Sequence, residues 1–217
     1  MIRYVLLLIG VILLLQACAP PVYYARQIHG QVIDAQTGEP IERAIIVAQW
    51  ILFHQGLGDS WHKSRLRVVE TVTDKNGYYT ISGSPMVRII PFTELDRYDP
   101  KLSVFKKGYR PSSFINKKDR NSPIRSSDWD GKILRLKLPT ASIEKQANKL
   151  GIFFNGIYKG GGKIEWRNFP RMLLAMYEET QRFKVKGIDP MLLPSVPNIS
   201  KFSAVDKQFL EEFKNEK

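Results

Sequence analysis

The sequence predicts a mainly β chain: a β-sandwich followed by a small C-terminal helical appendage. Three observations carry that expectation. Short alternating or β-branched runs recur between residues 28 and 138, separated by turn signals. The run 44–53 is apolar at nearly every position, as in a strand covered on both faces. After Pro139 the apolar spacing becomes that of helices.

The chain opens with Arg3 and then an apolar run from Val5 to Leu15, interrupted only by Gly10. A bilayer span needs about 20 apolar residues. The run is shorter and has the proportions of the apolar region of a secretory signal. Leu15-Gln16-Ala17-Cys18 follows directly. These four residues resemble the bacterial lipobox: a Leu, a variable residue, a small residue and Cys. The resemblance implies that residues 1–17 are a signal peptide removed before Cys18. It also implies that Cys18 carries a diacylglyceryl group and further acyl chain, the thiolate being the nucleophile. Ala19, not Asp, follows the cysteine, which implies an outer-membrane destination facing the periplasm in a Gram-negative cell. The competing reading is a short membrane-anchor helix with a chance cysteine. Cys18 is the only cysteine, so the fold contains no intrachain disulfide. Each buried methylene contributes about 0.8 kcal/mol, and two or more acyl chains give a stable anchor.

From Cys18 onward 200 of the 217 residues remain, enough for one substantial core. With 43% hydrophobic and 25% charged residues, the composition is that of a globular chain and not a disordered one. The net charge is +12, unevenly spread: residues 18–110 hold 12 Lys+Arg against 9 Asp+Glu, and residues 111–217 hold 20 against 12. The basic half suits anionic lipid, lipopolysaccharide or a polyanionic wall polymer. A solvated soluble surface reads equally well. Nucleic acid is not an expected partner of an exported chain.

Residues 18–27 read as a linker, stiffened by Pro20-Pro21. Strands are expected at 28–34, 44–53, 68–73, 78–81, 102–105 and 133–138. Gln36-Thr37-Gly38-Glu39-Pro40 and Asp74-Lys75-Asn76-Gly77 are the turns between them. Gly38 and Gly77 stand where a Cβ would strain the turn, and Asp74 can bond its own turn backbone. Tyr79 and Ile81 share a strand face, and Tyr109 is expected to be a core aromatic.

The ordered pattern Ile28-x-Gly30-x-Val32-x-Asp34, Thr37-Gly38-x-Pro40-Ile41-x-x-Ala44, Thr73-Asp74-x-x-Gly77-x-Tyr79-x-Ile81 and Lys107-Gly108-Tyr109 resembles the carboxypeptidase regulatory-like domain. The resemblance covers about residues 28–110, and with the alternating run that ends at Leu138 the domain is placed at 28–138. It implies a transthyretin-like (prealbumin-like) β-sandwich in which these residues build the fold and do no chemistry. The zinc carboxypeptidase domain often attached to such modules has no counterpart here. The segment 54–64 departs from the pattern and reads as a polar loop. Trp61, His54 and His62 are its candidate binding residues, and a loop tucked on its own Trp is the alternative. His54, Asp59 and His62 match no metal-ligand spacing, so surface histidines are favoured and neither metal nor cofactor is expected.

Residues 139–217 form the helical extension. Ser142 to Leu150 reads as a short helix stopped at Gly151. A second helix is expected to begin at Asn168-Phe169-Pro170, with Asn168 as cap, and to stop at Gly187. Leu173, Met176, Tyr177, Thr180 and Phe183 make its stripe. Ser203 to Lys214 reads as a last helix. The stripe is expected to pack on the outer face of the 44–53 strand; a docking face for a partner is the alternative.

Lys163 after three glycines lacks the phosphate-loop spacing, and no Gly-x-Ser-x-Gly motif occurs. The functional expectation is therefore a non-catalytic, lipid-anchored envelope lipoprotein that binds or supports another envelope component. A salt-dependent glycan or lipopolysaccharide module, using aromatics such as Trp61, Trp129 and Trp166, is the alternative. An enzyme with an unrecognised site is the third.

Overall fold

The computed structural model describes residues 2–5, 22–55, 61–89, 93–118, 122–158 and 166–214, with the side chains of 54, 55 and 61–63 left out. Cys18, the apolar run 6–15 and the Gly160-Gly161-Gly162 segment lie outside the described residues. The chain is mainly β, with three sheets and three α-helices among the described residues after Ala19.

The strands in order are β1 (Val22–Ala25), β2 (Ile28–Asp34), β3 (Ile45–Gln55), β4 (Trp61–Val72), β5 (Tyr78–Ile81), β6 (Ser84–Val87), β7 (Thr93–Leu95), β8 (Lys101–Phe105), β9 (Ser112–Phe114), β10 (Ile124–Arg125) and β11 (Lys132–Leu136). They pair as β10-β1-β6, as β11-β2-β5, and as β4-β3-β8-β9 with β7 also on β3. β3 is the spine of the large sheet. Along one edge it pairs with β4 from Ile45 to Gln55. Along the other it pairs with β8 through Gln49 and with β7 from Leu52. The handover between β8 and β7 would leave backbone groups unpaired. Asp99 fills the gap: its buried carboxylate accepts the Ile51 amide, and Asp96 N donates to Ile51 O at 2.8 Å. Burial pushes the Asp99 carboxyl well above the ordinary range.

Alternation sorts the two faces of β3. Ile46, Ala48, Trp50 and Leu52 join Val32 of β2, Tyr79 and Ile81 of β5, Leu134 and Leu136 of β11 and Tyr23, Ala25 and Met86 of the small sheet in one core. Val47, with Phe105 of β8, faces the other way and joins a second core. That core is built by α1 (Ile143–Tyr158), α2 (Pro170–Val185) and α3 (Ala204–Lys214). It holds the stripe residues Leu173, Met176 and Phe183, together with Phe153, Phe154, Ile157 and Leu210.

Four expectations are corrected. The linker reading of 22–27 gives way to strand β1, whose Tyr23 and Ala25 are buried between β10 and β6; four residues carry too little pattern to announce a strand. The loop at 54–64 shrinks, because β3 runs to Gln55 and β4 starts at Trp61, pairing His54 with His62. α1 does not stop at Gly151 but continues to Tyr158, because Phe153, Phe154 and Ile157 are buried beyond it. Gly151 instead lies against Leu192 and Pro194.

The fourth concerns the start of α2. Asn168 lies in a 3₁₀ turn, and the N-cap position is Phe169, which offers no side-chain bond. The cap comes from β4. Glu70 accepts the amides of Arg171 at 3.0 Å and Met172 at 2.7 Å. α2 has no acidic residue in its own first turn, so the strand supplies the acceptor oxygens that the first amides of a helix need. The mirror arrangement holds at α1. Its last turn has no basic residue. The Ile157 carbonyl accepts from the Arg65 guanidinium and from Gln49 Nε2 at 3.2 Å, and Lys101 Nζ lies 3.5 Å from the Gly156 carbonyl.

The turns behave as their residues dictate. Asp74 accepts the amides of Asn76 and Tyr78, each at 2.9 Å. Gly38 and Gly77 both have positive φ, +76° and +75°. They differ in surroundings: a Cβ at Gly38 meets nothing, whereas one at Gly77 would sit 2.5 Å from the Val32 carbonyl. Gly77→Ala is therefore expected to cost clearly more stability than Gly38→Ala, which carries only the backbone strain of about 1 kcal/mol. Denaturant midpoints of the two variants measure the difference; equal losses would remove the steric role of Gly77.

Burial raises the Glu70 carboxyl to about 7, while the two helix amides and Arg171 pull the other way. Because the folded value lies above the ordinary 4.5, the native state holds the proton more tightly than the unfolded chain. This contribution is present at acid pH and is lost as pH rises from 4.5 to about 7. Glu70→Gln is expected to remove that dependence. The wild type then loses stability relative to the variant between pH 4.5 and about pH 7. Parallel stability curves would show that burial does not raise the Glu70 carboxyl. Glu70→Ala, which leaves two helix amides unmet, is expected to cost about 1–3 kcal/mol at either pH.

Candidate functional site

The large sheet and the helices meet flush over Val47 but part at the end of β8. The turn Lys106–Tyr109 carries Gly108 at φ +88°, with Tyr109 N donating to Lys106 O at 3.0 Å. Arg110 N then donates to Lys137 O at 2.8 Å, tying this turn to the end of β11. The two tied segments form one wall of a cleft. Ala35 and Gln36 after β2 extend it, and α1 and α2 form the opposite wall.

The cleft encloses about 360 Å³, within the range of small-ligand sites. Its floor is apolar: Phe105, Leu150 and Phe183 are buried there. Its rim is cationic. Arg110, Lys137 and Lys149 are exposed and Arg182 half-buried, against one lining carboxylate, Glu179. Glu179 is buried, and its Oε2 accepts from Arg182 Nε at 2.9 Å and from a terminal guanidinium nitrogen at 2.5 Å. Its Oε1 has no partner among the described residues. A buried acceptor without a donor is costly, and this one has no accessible surface, so it lies beneath the lining of the cleft.

Tyr109 lies on this cleft and is half-buried, not fully enclosed as expected of a core aromatic. Its hydroxyl donates to Asp34, whose carboxylate also accepts the Gln36 amide at 2.6 Å and the Thr37 amide at 3.0 Å. Those amides, then the Tyr109 hydroxyl, hold Asp34 below the ordinary carboxylate range. Burial, then the bond to Asp34, raises Tyr109. The bond steadies the turn that presents Arg110.

A second hollow of about 350 Å³ lies on the other side of Phe105, between Arg43, Lys106, Arg171, Glu178 and Lys214. It too is cationic, but it has no buried orphan acceptor among the described side chains. The arrangement of the first cleft, an apolar floor under a cationic rim, is that of a binding site for an anionic, partly apolar group.

The residues singled out from sequence lie elsewhere. Cys18 is outside the described residues. The register sets His54 opposite His62, and Gln55 opposite Trp61, at the far end of the β3–β4 hairpin; their side chains are outside the described residues. Trp129 and Trp166 are not free surface aromatics. Trp129 is half-buried, donates Nε1–H to Ile115 O at 2.9 Å and meets Phe114 edge-on at 4.9 Å. Trp166 packs on Phe202 at 4.9 Å and on Phe209 at 5.9 Å. Both rings hold loops in place. Among the described residues no group of three or more His, Cys, Asp and Glu could hold a metal, and no helix is long and apolar enough to cross a membrane. The cleft escaped the sequence reading because its rim comes from four separate segments. The only signal was the density of Lys and Arg in the second half.

Neither a family model nor a curated protein matches the chain. Solved structures similar to it include a streptococcal ancillary pilin, at 12% identity and a TM-score of 0.26, covering 54% of this chain and 30% of that one. The C-terminal domain of the shaft pilin SpaA from Lactobacillus rhamnosus GG is matched at 11% identity and a TM-score of 0.26, over 55% of this chain and all of that one. A 9R-lipoxygenase from Cyanothece PCC8801 is matched at 14% identity and a TM-score of 0.26, over 80% of this chain and 26% of that one. The chain thus spans under a third of the ancillary pilin, and likenesses at these scores carry no argument about what it does.

Proposed function

We propose that this chain is a non-catalytic, lipid-anchored lipoprotein of the cell envelope. In this reading its transthyretin-like β-sandwich and helices hold an anionic envelope component at the cleft above Phe105. The observation that carries the anchor is Cys18. The chain's one cysteine closes Leu15-Gln16-Ala17-Cys18, straight after an apolar run too short to span a bilayer. The cationic rim of the cleft supports an anionic partner, whether lipopolysaccharide, another acidic glycan or an acidic surface of an envelope protein. The outer membrane, facing the periplasm, is the proposed location.

Expression of the full chain in a Gram-negative host, with a clickable fatty acid in the medium, tests the anchor. The wild type is expected to take up label and to sediment with membranes. Cys18→Ser is expected to lose the label. A wild type that stays unlabelled, with an intact residue 1–17 peptide in its mass spectrum, would overturn the anchor.

Lipopolysaccharide is the probe for the cleft. Retention of the protein is expected to fall steeply between low salt and 0.15 M salt, where charges are screened beyond about 8 Å. The double variant Arg110→Glu, Lys137→Glu is expected to weaken retention at low salt without lowering stability, both side chains being exposed. Retention unchanged by that variant would move the binding surface away from the cleft. Salt-independent capture of one envelope protein would favour an accessory role in its assembly.

A further inference from the structure

The small sheet presents an outer face with no charge on it. In β1, Tyr23 and Ala25 point into the core and Val22 and Tyr24 point out. The register places Val22 beside Val87 and Tyr24 beside Pro85 on β6. On the other edge it places Tyr24 beside Ile124 on β10. Directly paired residues share a face, so these five side chains form one apolar surface. Val22, Tyr24, Val87 and Ile124 are 50%, 48%, 59% and 47% exposed. A contiguous apolar patch on a folded surface marks a contact, and the helices that cover the large sheet draw their core from β3 and β8, not from this sheet.

Chain length says what the contact is. Only Ala19, Pro20 and Pro21 separate Cys18 from Val22. The four steps from Cys18 to Val22 reach at most about 14 Å even when fully extended. A headgroup layer takes up on the order of 6 Å of that. β1 is no tether that could swing away, because Tyr23 and Ala25 are locked in the core. A lipid on Cys18 therefore brings this sheet to the bilayer surface.

We propose that the outer face of the β10-β1-β6 sheet docks on the bilayer that holds the Cys18 lipid, so that the protein sits on the membrane in one fixed orientation. The proposal rests on the lipid-anchor reading above. Val22, Val87 and Ile124 enter the interfacial zone, and Tyr24 is suited to it by its apolar ring and polar tip. Docking adds apolar burial to the acyl anchor and sets which surfaces face away from the lipid.

The test uses the full chain in host membranes. A photo-reactive benzoylphenylalanine replaces Val87 in one variant and Val205, exposed on α3, in another. After irradiation, lipid adducts are read by mass spectrometry, and the N-terminal peptide of the same sample reports the state of Cys18. Docking predicts several-fold more lipid adduct at 87 than at 205, with lipid on Cys18. Equal adducts at the two positions with Cys18 lipidated would overturn docking and leave the anchor standing. Adducts at 87 with Cys18 unmodified would keep the docked face and remove the lipid anchor. Adducts at 87 to a protein, whether a second copy or another chain, would overturn the lipid as occupant. As a second measure, Val87→Glu at the exposed position is expected to leave the stability of the protein unchanged while abolishing the adduct advantage of a probe placed at Ile124.

Discussion

The two helix ends that the sheet neutralises hold this molecule together. α1 ends without a cation of its own, and α2 begins without an anion. Each therefore carries unmet backbone groups at an end that faces the large sheet. The sheet answers each end with side-chain partners: the Glu70 carboxyl of β4 accepts from the amides of α2, and Arg65 of β4, with Gln49 of β3 and Lys101 of β8, meets the carbonyls of α1. Each charge–terminus pairing contributes about 0.3–1 kcal/mol at a surface and up to about 2 when partly buried. Directionality matters more than size. Apolar packing between a helix layer and a sheet is tolerant of sliding, whereas a carboxylate on two specific amides is not. Glu70 and Arg65 thus set the register of the helices on the strands.

That register depends in turn on β3. Its two faces belong to two cores, with Ile46, Ala48, Trp50 and Leu52 on one side and Val47 on the other, and its neighbour β8 does the same with Leu102 and Val104 against Phe105. It changes partner along one edge, from β8 to β7, with Asp99 closing the gap. Opposite that gap the pairing with β4 slips by one residue, between Trp50 and Ile51. The slip sits between the strand's lower half, which carries the helices, and its upper half, which runs out into the hairpin holding His54 and His62. A bulge is the usual device for bending one strand to serve two neighbours.

Two surfaces emerge from this construction, and they have opposite chemistry. The cleft over Phe105 is cationic and holds a buried carboxylate oxygen in want of a donor. The outer face of the small sheet is uncharged and apolar. Under the proposed lipid anchor the two divide the work: the apolar face meets the bilayer and the cationic cleft receives an anionic component of the envelope. The excess positive charge of residues 111–217 then has a local meaning in Lys137, Lys149 and Arg182, not only a general one in solubility.

Much of the local structure was legible in the residues. β2 and β5 appear where alternation placed them. The Asp74–Gly77 turn closes by the side-chain bonds that Asp74 invites, and α2 starts at Pro170 and ends at Val185, just before Gly187. Such features depend on residues a few positions apart, so their period and turn chemistry can be read directly. What joins distant segments could not be read. The capping carboxyl of α2 lies about a hundred residues before it, and Asn168, the local candidate, makes no cap. β1 became a strand because β6 and β10 offered it partners, not because Val-Tyr-Tyr-Ala announces one. The cleft exists only where the tied segments around Arg110 and Lys137 part from α1 and α2. Sequence alone determined the strands with a clear period, such as β2 and β5, the turns and the motif around Cys18, because those are written within a few residues; the short strands β1, β6, β7, β9 and β10 were not written there. The tertiary structure decided the caps, the two cores, the cleft and the apolar face, because each depends on which distant groups are brought within hydrogen-bonding or van der Waals reach.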